Sequence, residues 1–183
     1  MNARSTVTTR FRPAEHTIVD RMDIKKIAVA TLVVLTVGGG YAAADQRTTT
    51  RTEKVLTIDA AVRAAQATLD AAEKENQRVT VAVVDRSGDL VVLLAGDGAG
   101  PQTEDSARRK AFTAVSFNAA TSELAGRVTG QGATLRDIPN TLFLGGGVPV
   151  TVDGTSIAGI GVGGAPSGDL DEKFARAGLA TLR

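Results

Sequence analysis

The chain has 183 residues, a length that suits one domain with a tail, and its 21 Lys and Arg nearly balance its 20 Asp and Glu. That balance gives no reason to expect a surface for nucleic acid or anionic membranes. There is no cysteine, so disulfides and thiolate nucleophiles are excluded and stability has to come from packing.

Residues 1–44 differ from the rest. Residues 1–21 carry Arg4, Arg10, Arg12, Arg21 and the sole histidine, His16, without apolar periodicity. Then come Lys25-Lys26, the apolar run IAVATLVVLTV (27–37) and the small-residue end Tyr41-Ala42-Ala43-Ala44. A basic start, a short apolar stretch and an A-x-A end form the pattern of a secretory signal peptide, here with cleavage expected after Ala44. The run falls well short of the ~20 apolar residues needed to span a bilayer. The 21 residues before Met22 exceed the usual short basic region, and Met22 is the expected start of translation. The expected exported product, extracellular or periplasmic, is residues 45–183. It has 139 residues, with 15 Lys and Arg against 17 Asp and Glu, and contains no His, Met, Tyr, Cys or Trp.

Residues 45–56 (DQRTTTRTEKVL) are polar and Thr-rich and read as a flexible leader to a domain spanning 57–183. A helix is predicted in TIDAAVRAAQATLDAAEKENQ, with Thr57 as N-cap and Asp59 at the positive end of the dipole. Ile58, Val62, Ala65, Leu69 and Ala72 recur at helical spacing as its apolar face. VTVAVV (79–84) and LVVLLA (90–95), separated by Asp85–Asp89, predict a hairpin. Their continuous apolar character predicts strands covered on both faces.

A second helix is expected within TEDSARRKAFTAVSFNAATSEL, capped by Thr103 or Ser106, with a small-residue stripe at Ala107, Ala111, Ala114 and Val115. A short helix around Glu123–Val128, capped by Thr121 or Ser122, and one helical turn within 129–142 follow. FLGGGVPVTVDGTSIAGIGVGGAP (143–166) holds eight of the 20 glycines. Asp153-Gly154 in it marks a two-residue hairpin turn. Gly159 and Gly161, two apart on one strand face, mark a bulge or leave room for something flat to approach the backbone. SGDLDEKFARAGLATLR predicts a last helix with Leu170, Phe174, Ala177 and Thr181 on one side, and Asp169 with Glu172 as a capping box. Two hairpins among helices, without repeated β-α-β units, make the fold class α+β: one domain with an antiparallel sheet built from hairpins and packed by helices.

Three stretches resemble the GlcG/HbpS-type haem-binding, or haem-degrading, domain family, and together they run from about Leu56 to Leu182. VAVVDRSGDLVVLLAGDGAG (81–100) is similar to its VVD-x-x-G-x-L-V hairpin and D-G-A loop. SARRKAFTAVSFNAATSEL (106–124) is similar to its A-x-x-K-A-x-T-A helix with T-S-E-L after it. FLGGGVPVTVDGTSIAGIGVGGAPSGDLDEKFARAGL (143–179) is similar to its GG-x-P strand, glycine-bearing strand and acidic helix start. One departure is the Ala95-Gly96 pair before Asp97, where the family commonly has a long or basic residue. The resemblance implies a layered α+β fold, homo-oligomers and, in secreted members, haem or iron binding for scavenging or redox sensing, the latter with a membrane sensor as partner.

The chemistry available after residue 44 is narrow. Haem iron is usually held by His, Cys, Met or Tyr, and residues 45–183 contain none of them. A bound haem or other tetrapyrrole would rely on cations for its propionates and on apolar and glycine surface for its faces, with Thr113 or a carboxylate as a weak ligand. Arg108, Arg109 and Lys110 are consecutive on a helix and cannot all face one site. The family motif favours Lys110, with Arg108 bracketing the same edge, against the alternative of a solvated helix paired to Glu104 or Asp105. Asp85 and the run Gly145-Gly146-Gly147 complete the candidate cofactor site. Asp70 and Glu73, at i and i+3, are a candidate pair for a hard cation or ferric iron, weighed against an exposed polar helix face. Side-chain catalysis lacks a His or Cys base or nucleophile, and the triple glycine is neither a phosphate loop nor a dinucleotide fingerprint. A non-haem structural or signalling oligomer, and an enzyme for a small molecule using a pocket near Asp85, Lys110 and Gly145–Gly147, are the alternatives to a haem module.

Overall fold

Thr57 accepts a hydrogen bond from the amide of Ala60 and opens the first helix, α1 (Ile58–Glu73), in the computed structural model, which describes residues 50–129 and 134–183. The expected signal peptide lies outside the described residues, as does the leader up to residue 49. Residues 50–56 run without regular structure, and Lys54 pairs with Asp153 at 2.5 Å.

The remaining elements are β1 (Thr80–Asp85), β2 (Leu90–Ala95), α2 (Gln102–Phe117), α3 (Thr121–Leu124), β3 (Gly147–Val152), β4 (Thr155–Gly163) and α4 (Gly168–Leu179). The four strands form one antiparallel sheet in the order β2-β1-β4-β3. Both predicted hairpins are present. At the second, Asp153 and Gly154 both have positive φ (51° and 76°), as the tight turn matched to strand twist requires.

The sheet has helices on both faces. Val81, Val83, Val148, Ile160 and Val162 form the main core with Ala61, Ala64, Ala65 and Leu69 of α1 and Phe174 and Ala175 of α4. On the other face, Ala82 and Val84 meet Ala107, Ala111 and Val115 of α2. β1 pairs with Ala82 opposite Gly161 and Val84 opposite Gly159, so the glycines of β4 lie on the α2 side. A Cβ on Gly161 would overlap the carbonyl oxygen of Ala107, and one on Gly159 that of Ala111. The flat thing that approaches this backbone is therefore α2, whose alanine stripe fits the glycine strip. The register irregularities lie elsewhere, between Val83 and Val84 and between Val150 and Thr151.

Several local expectations shift. The buried face of α1 is Ala61, Ala64, Ala65, Thr68, Leu69 and Ala72, while Ile58 and Val62 are exposed. Small residues win because α4 comes so close: a Cβ on Gly178 would overlap the Ala64 carbonyl and the Thr68 hydroxyl. β1 is covered on both faces, but β2 is an edge strand and largely half-exposed. α2 begins with Pro101 at its N-cap, which has no side-chain acceptor, and the expected caps Thr103 and Ser106 lie inside the helix, Thr103 donating its hydroxyl to the Gly100 carbonyl (2.6 Å). α3 follows Ala120 without a cap and runs into a tighter turn at Ala125–Val128, and one such turn, Leu135–Asp137, lies in the segment before β3. In α4 the N-cap is Ser167, which accepts from the Leu170 amide at 3.2 Å, rather than Asp169. Its buried face includes Asp171 and Glu172 beside Phe174 and Ala175.

Candidate functional site

α2 presents its charged residues to different surroundings, as their spacing requires. Lys110 points inward and its side chain is only 4% exposed. Its ammonium donates to the Val162 carbonyl at 2.9 Å and to Asp171 Oδ2 at 2.7 Å. The other oxygen of Asp171 accepts from the Ala165 amide at 3.0 Å, so a single pair joins α2, the end of β4 and the first turn of α4. Burial of Asp171 penalises its charged form and holds its pKa above the ordinary 3.8, against the opposing pull of the Lys110 hydrogen bond and charge and of the Ala165 amide.

The triple glycine passes over this pair. Gly146 has φ +119°, and a Cβ there would come within 2.7 Å of the Asp171 Cβ and 3.0 Å of the Lys110 ammonium. A Cβ on Gly145 would lie 2.9 Å from backbone atoms of Gly168, and one on Gly147 would overlap the Lys110 carbonyl. Lys110 and Gly145–Gly147 thus do come together, and the density of glycine there reflects backbone packed on backbone and on a buried ion pair. Beside them is a cavity of about 460 Å³ lined by Gln102, Ser106, Lys110, Gly145 and the 164–169 segment, with Asp171 at its wall.

Arg108 lies on another surface. A cavity of about 310 Å³ is lined by Val84, Gly88, Asp105, Arg108, Arg109, Phe112 and Asn140. Arg108 approaches Glu104 at 3.5 Å, both about half exposed, as the solvated-helix alternative anticipates. Arg109 donates to the Thr141 carbonyl at 2.8 Å and approaches Asp105 at 3.4 Å, and its buried Nε has no partner among the described residues. Phe112 packs over Gly88 in the β1–β2 turn: a Cβ on that glycine would come within 2.6 Å of the ring.

Thr113 is buried, and its hydroxyl is used inside the fold. It donates to the Arg109 carbonyl (2.7 Å) and accepts from the Leu142 amide (2.8 Å), which ties the segment before β3 to α2. Asp85 holds the β1–β2 turn by accepting from the amides of Ser87 (2.8 Å) and Asp89 (3.0 Å). Asp70 and Glu73 are exposed on α1, with Asp70 accepting from Gln66 at 2.7 Å. Among the described residues there is no group of three or more His, Cys, Asp or Glu placed to hold a metal ion.

Sequence reasoning missed Asp171, Phe112 and Asn140, and it named Arg109 only to set it aside in favour of Lys110 and Arg108. Asp171 is one acidic residue among three in a helix start, and only the approach of α2 distinguishes it. Phe112 and Asn140 belong to one surface only because Thr113 and Arg109 bring residues 141 and 142 to α2.

Residues 56–180 match the family described as haem degrading protein HbpS-like. The crystal structure of HbpS is similar at 61% identity and a TM-score of 0.71, over 74% of this chain and 95% of that one. A double Glu-to-Asp mutant of Streptomyces reticuli HbpS is similar at 59% identity and a TM-score of 0.70, over 81% of this chain and 99% of that one. The structure of a PduOC:heme complex is similar at 26% identity and a TM-score of 0.65, over 70% of this chain and 95% of that one.

Proposed function

Because the chain belongs to the HbpS-like haem-degrading family, we propose that it binds haem or a related tetrapyrrole in the cavity between α2 and the β1–β2 turn. The observation that carries this reading is the grouping of Arg108, Arg109 and Phe112 on one wall of that cavity. Two guanidiniums match the two propionates of a porphyrin, and an aromatic ring offers a face for stacking. Lys110, favoured by the family motif, is already neutralised by Asp171 and serves the interior.

The residues fit the carboxylate edge of the cofactor better than its iron. Residues 45–183 supply no His, Cys, Met or Tyr, and the Thr113 hydroxyl is engaged on both sides. A haem held here has no strong axial ligand from this cavity, and its binding rests on ion pairs and face contacts. The protein's part is to hold and orient the group; among the described residues no His or Cys stands at the cavity as a base or nucleophile for its breakdown. We further infer that the protein is exported after cleavage at Ala44, assembles with copies of itself and serves haem or iron scavenging or redox sensing. The PduOC:heme relative and the signal-peptide pattern support this reading.

The test is an absorbance titration of the purified protein with haem. Saturable binding is expected, weakened about tenfold, or ~1.4 kcal/mol, by Arg108→Ala. Asp70→Asn with Glu73→Gln should leave it unchanged. A flat titration, or binding indifferent to Arg108 and Arg109, would overturn the reading.

A further inference from the structure

Two Asp-Gly steps occur in the chain, Asp97-Gly98 and Asp153-Gly154, and no Asn-Gly. At such a step the glycine amide can approach the aspartate carboxyl, because glycine brings no side chain to obstruct it. Both steps lie exposed at turns. The fold holds them differently.

Asp153-Gly154 is fixed from several sides. Val152 and Thr155 pair on either side of it in the β3–β4 ladder. The Lys54 ammonium donates to Asp153 Oδ2, and the Asn118 side-chain amide donates to the Gly154 carbonyl at 2.9 Å. The Lys54 hydrogen bond and charge hold the Asp153 pKa below the ordinary 3.8. Its carboxyl is thereby kept ionised, without the hydroxyl that has to leave as water in a condensation.

Asp97 and Gly98 are the central residues of a turn between β2 and α2, closed by the Ala99 amide on the Gly96 carbonyl at 3.0 Å. Gly98 has φ +76° there. The Asp97 carboxylate and the Gly98 amide have no hydrogen bond among the described residues. A single turn bond therefore restrains this step, where a ladder, an ion pair and a side-chain amide restrain the other.

We propose that Asp97 is a site of spontaneous isoaspartate formation in the folded protein, and that the fold protects Asp153 from the same change. The Gly98 nitrogen attacks Cγ of the protonated Asp97 carboxyl and an N–Cγ bond forms. The amide proton and the carboxyl hydroxyl leave as water, which closes a five-membered imide. Water then opens the ring at either carbonyl. Opening at Cγ restores aspartate, and opening at the main-chain carbonyl routes the backbone through Cβ and Cγ and leaves the charge on an α-carboxylate. The loop is anchored at both ends, by the Gly96 amide on the Val79 carbonyl at 2.9 Å and by the Thr103 amide and hydroxyl on the Gly100 carbonyl at 3.0 and 2.6 Å. The added methylene is taken up between those anchors, at the expense of the Ala99–Gly96 bond.

The experiment incubates the folded full chain at neutral pH for weeks, with samples digested by trypsin and isoaspartate located by fragmentation mass spectrometry. Residues 87–108 and 137–173 are separate tryptic peptides, each with one Asp-Gly step. Isoaspartate is expected to accumulate at Asp97 about tenfold faster than at Asp153, the effect of one or two further hydrogen bonds that must break first. In the urea-unfolded chain the two steps should react at similar rates, which separates the effect of the fold from that of the dipeptide. Asp97→Ser should leave the 87–108 peptide without isoaspartate. Equal rates in the folded protein, a faster reaction at Asp153, or isoaspartate persisting in the Asp97→Ser peptide would overturn the proposal. So would a folded protein that forms none at Asp97 in the time the unfolded chain does.

Discussion

Lys110 and Asp171 are taken out of water together, and the stability of each depends on the other. Removing one partner strands a buried charge, so Lys110→Met is expected to cost ~3–5 kcal/mol. Replacing both, as Lys110→Met with Asp171→Leu, is expected to cost much less than the single change. Urea unfolding of the three proteins measures this. The pair also predicts a pH dependence with a definite sign. Burial holds the Asp171 pKa above 3.8, so over the interval from 3.8 up to its folded value the native state binds this proton more tightly than the unfolded chain. The contribution of this group to stability therefore falls as pH rises through that interval. Asp171→Asn should remove this slope from a series of unfolding curves taken from pH 3.8 upward, and an unchanged slope would show that another group carries it.

At the scale of elements, the contact between α2 and β4 is set by what is missing from both. Alanines on the helix and glycines on the strand bring backbone to backbone, with Ala107 and Ala111 over Gly161 and Gly159. Gly161→Ala should push α2 away and cost ~1–3 kcal/mol by overpacking. The loss would read as lower thermal stability and, on the proposed reading, as weaker haem binding, because α2 also carries Arg108 and Phe112. At the other end, Ser167→Ala should cost ~1 kcal/mol through loss of the α4 cap. Asp169→Asn should cost less, since the structure gives Asp169 no capping bond.

For the whole molecule, the sheet leaves an unsealed border. β2 is at the edge, its sequence LVVLLA carries neither charge nor proline, and Leu90 is 39% exposed. Such an edge offers unpaired backbone groups to another strand. If self-association uses it, Leu90→Lys should lower the assembly state measured by analytical ultracentrifugation without changing the helix content of the subunit. An unchanged assembly would place the contact elsewhere. If the protein is exported as proposed, Edman or mass-spectrometric analysis of the secreted product should find Asp45 first.

Patterns that span only a few residues are legible in the sequence itself. The Thr57 cap, both hairpins, the Asp153-Gly154 turn and the antiparallel α+β sheet follow from local periodicity and turn chemistry, which act over distances the sequence displays directly. The lack of His, Cys, Met and Tyr after residue 44 likewise limits the chemistry whatever the fold. Tertiary approach decided the rest. Ile58 and Val62 are apolar yet exposed, because α4 packs on alanines one step around α1. Gly159 and Gly161 match α2 rather than a ligand, because the alanine stripe lies 40 or more residues earlier in the chain. The sequence alone places Lys110 and Arg108 as brackets of one edge of a cofactor site, with Thr113 as a weak ligand. The fold sends Lys110 to Asp171, Arg108 to the surface and Thr113 to the Leu142 amide. The physical reason is that a side chain's partner is set by which element packs against it, and these partners lie 4 to 61 residues away in sequence.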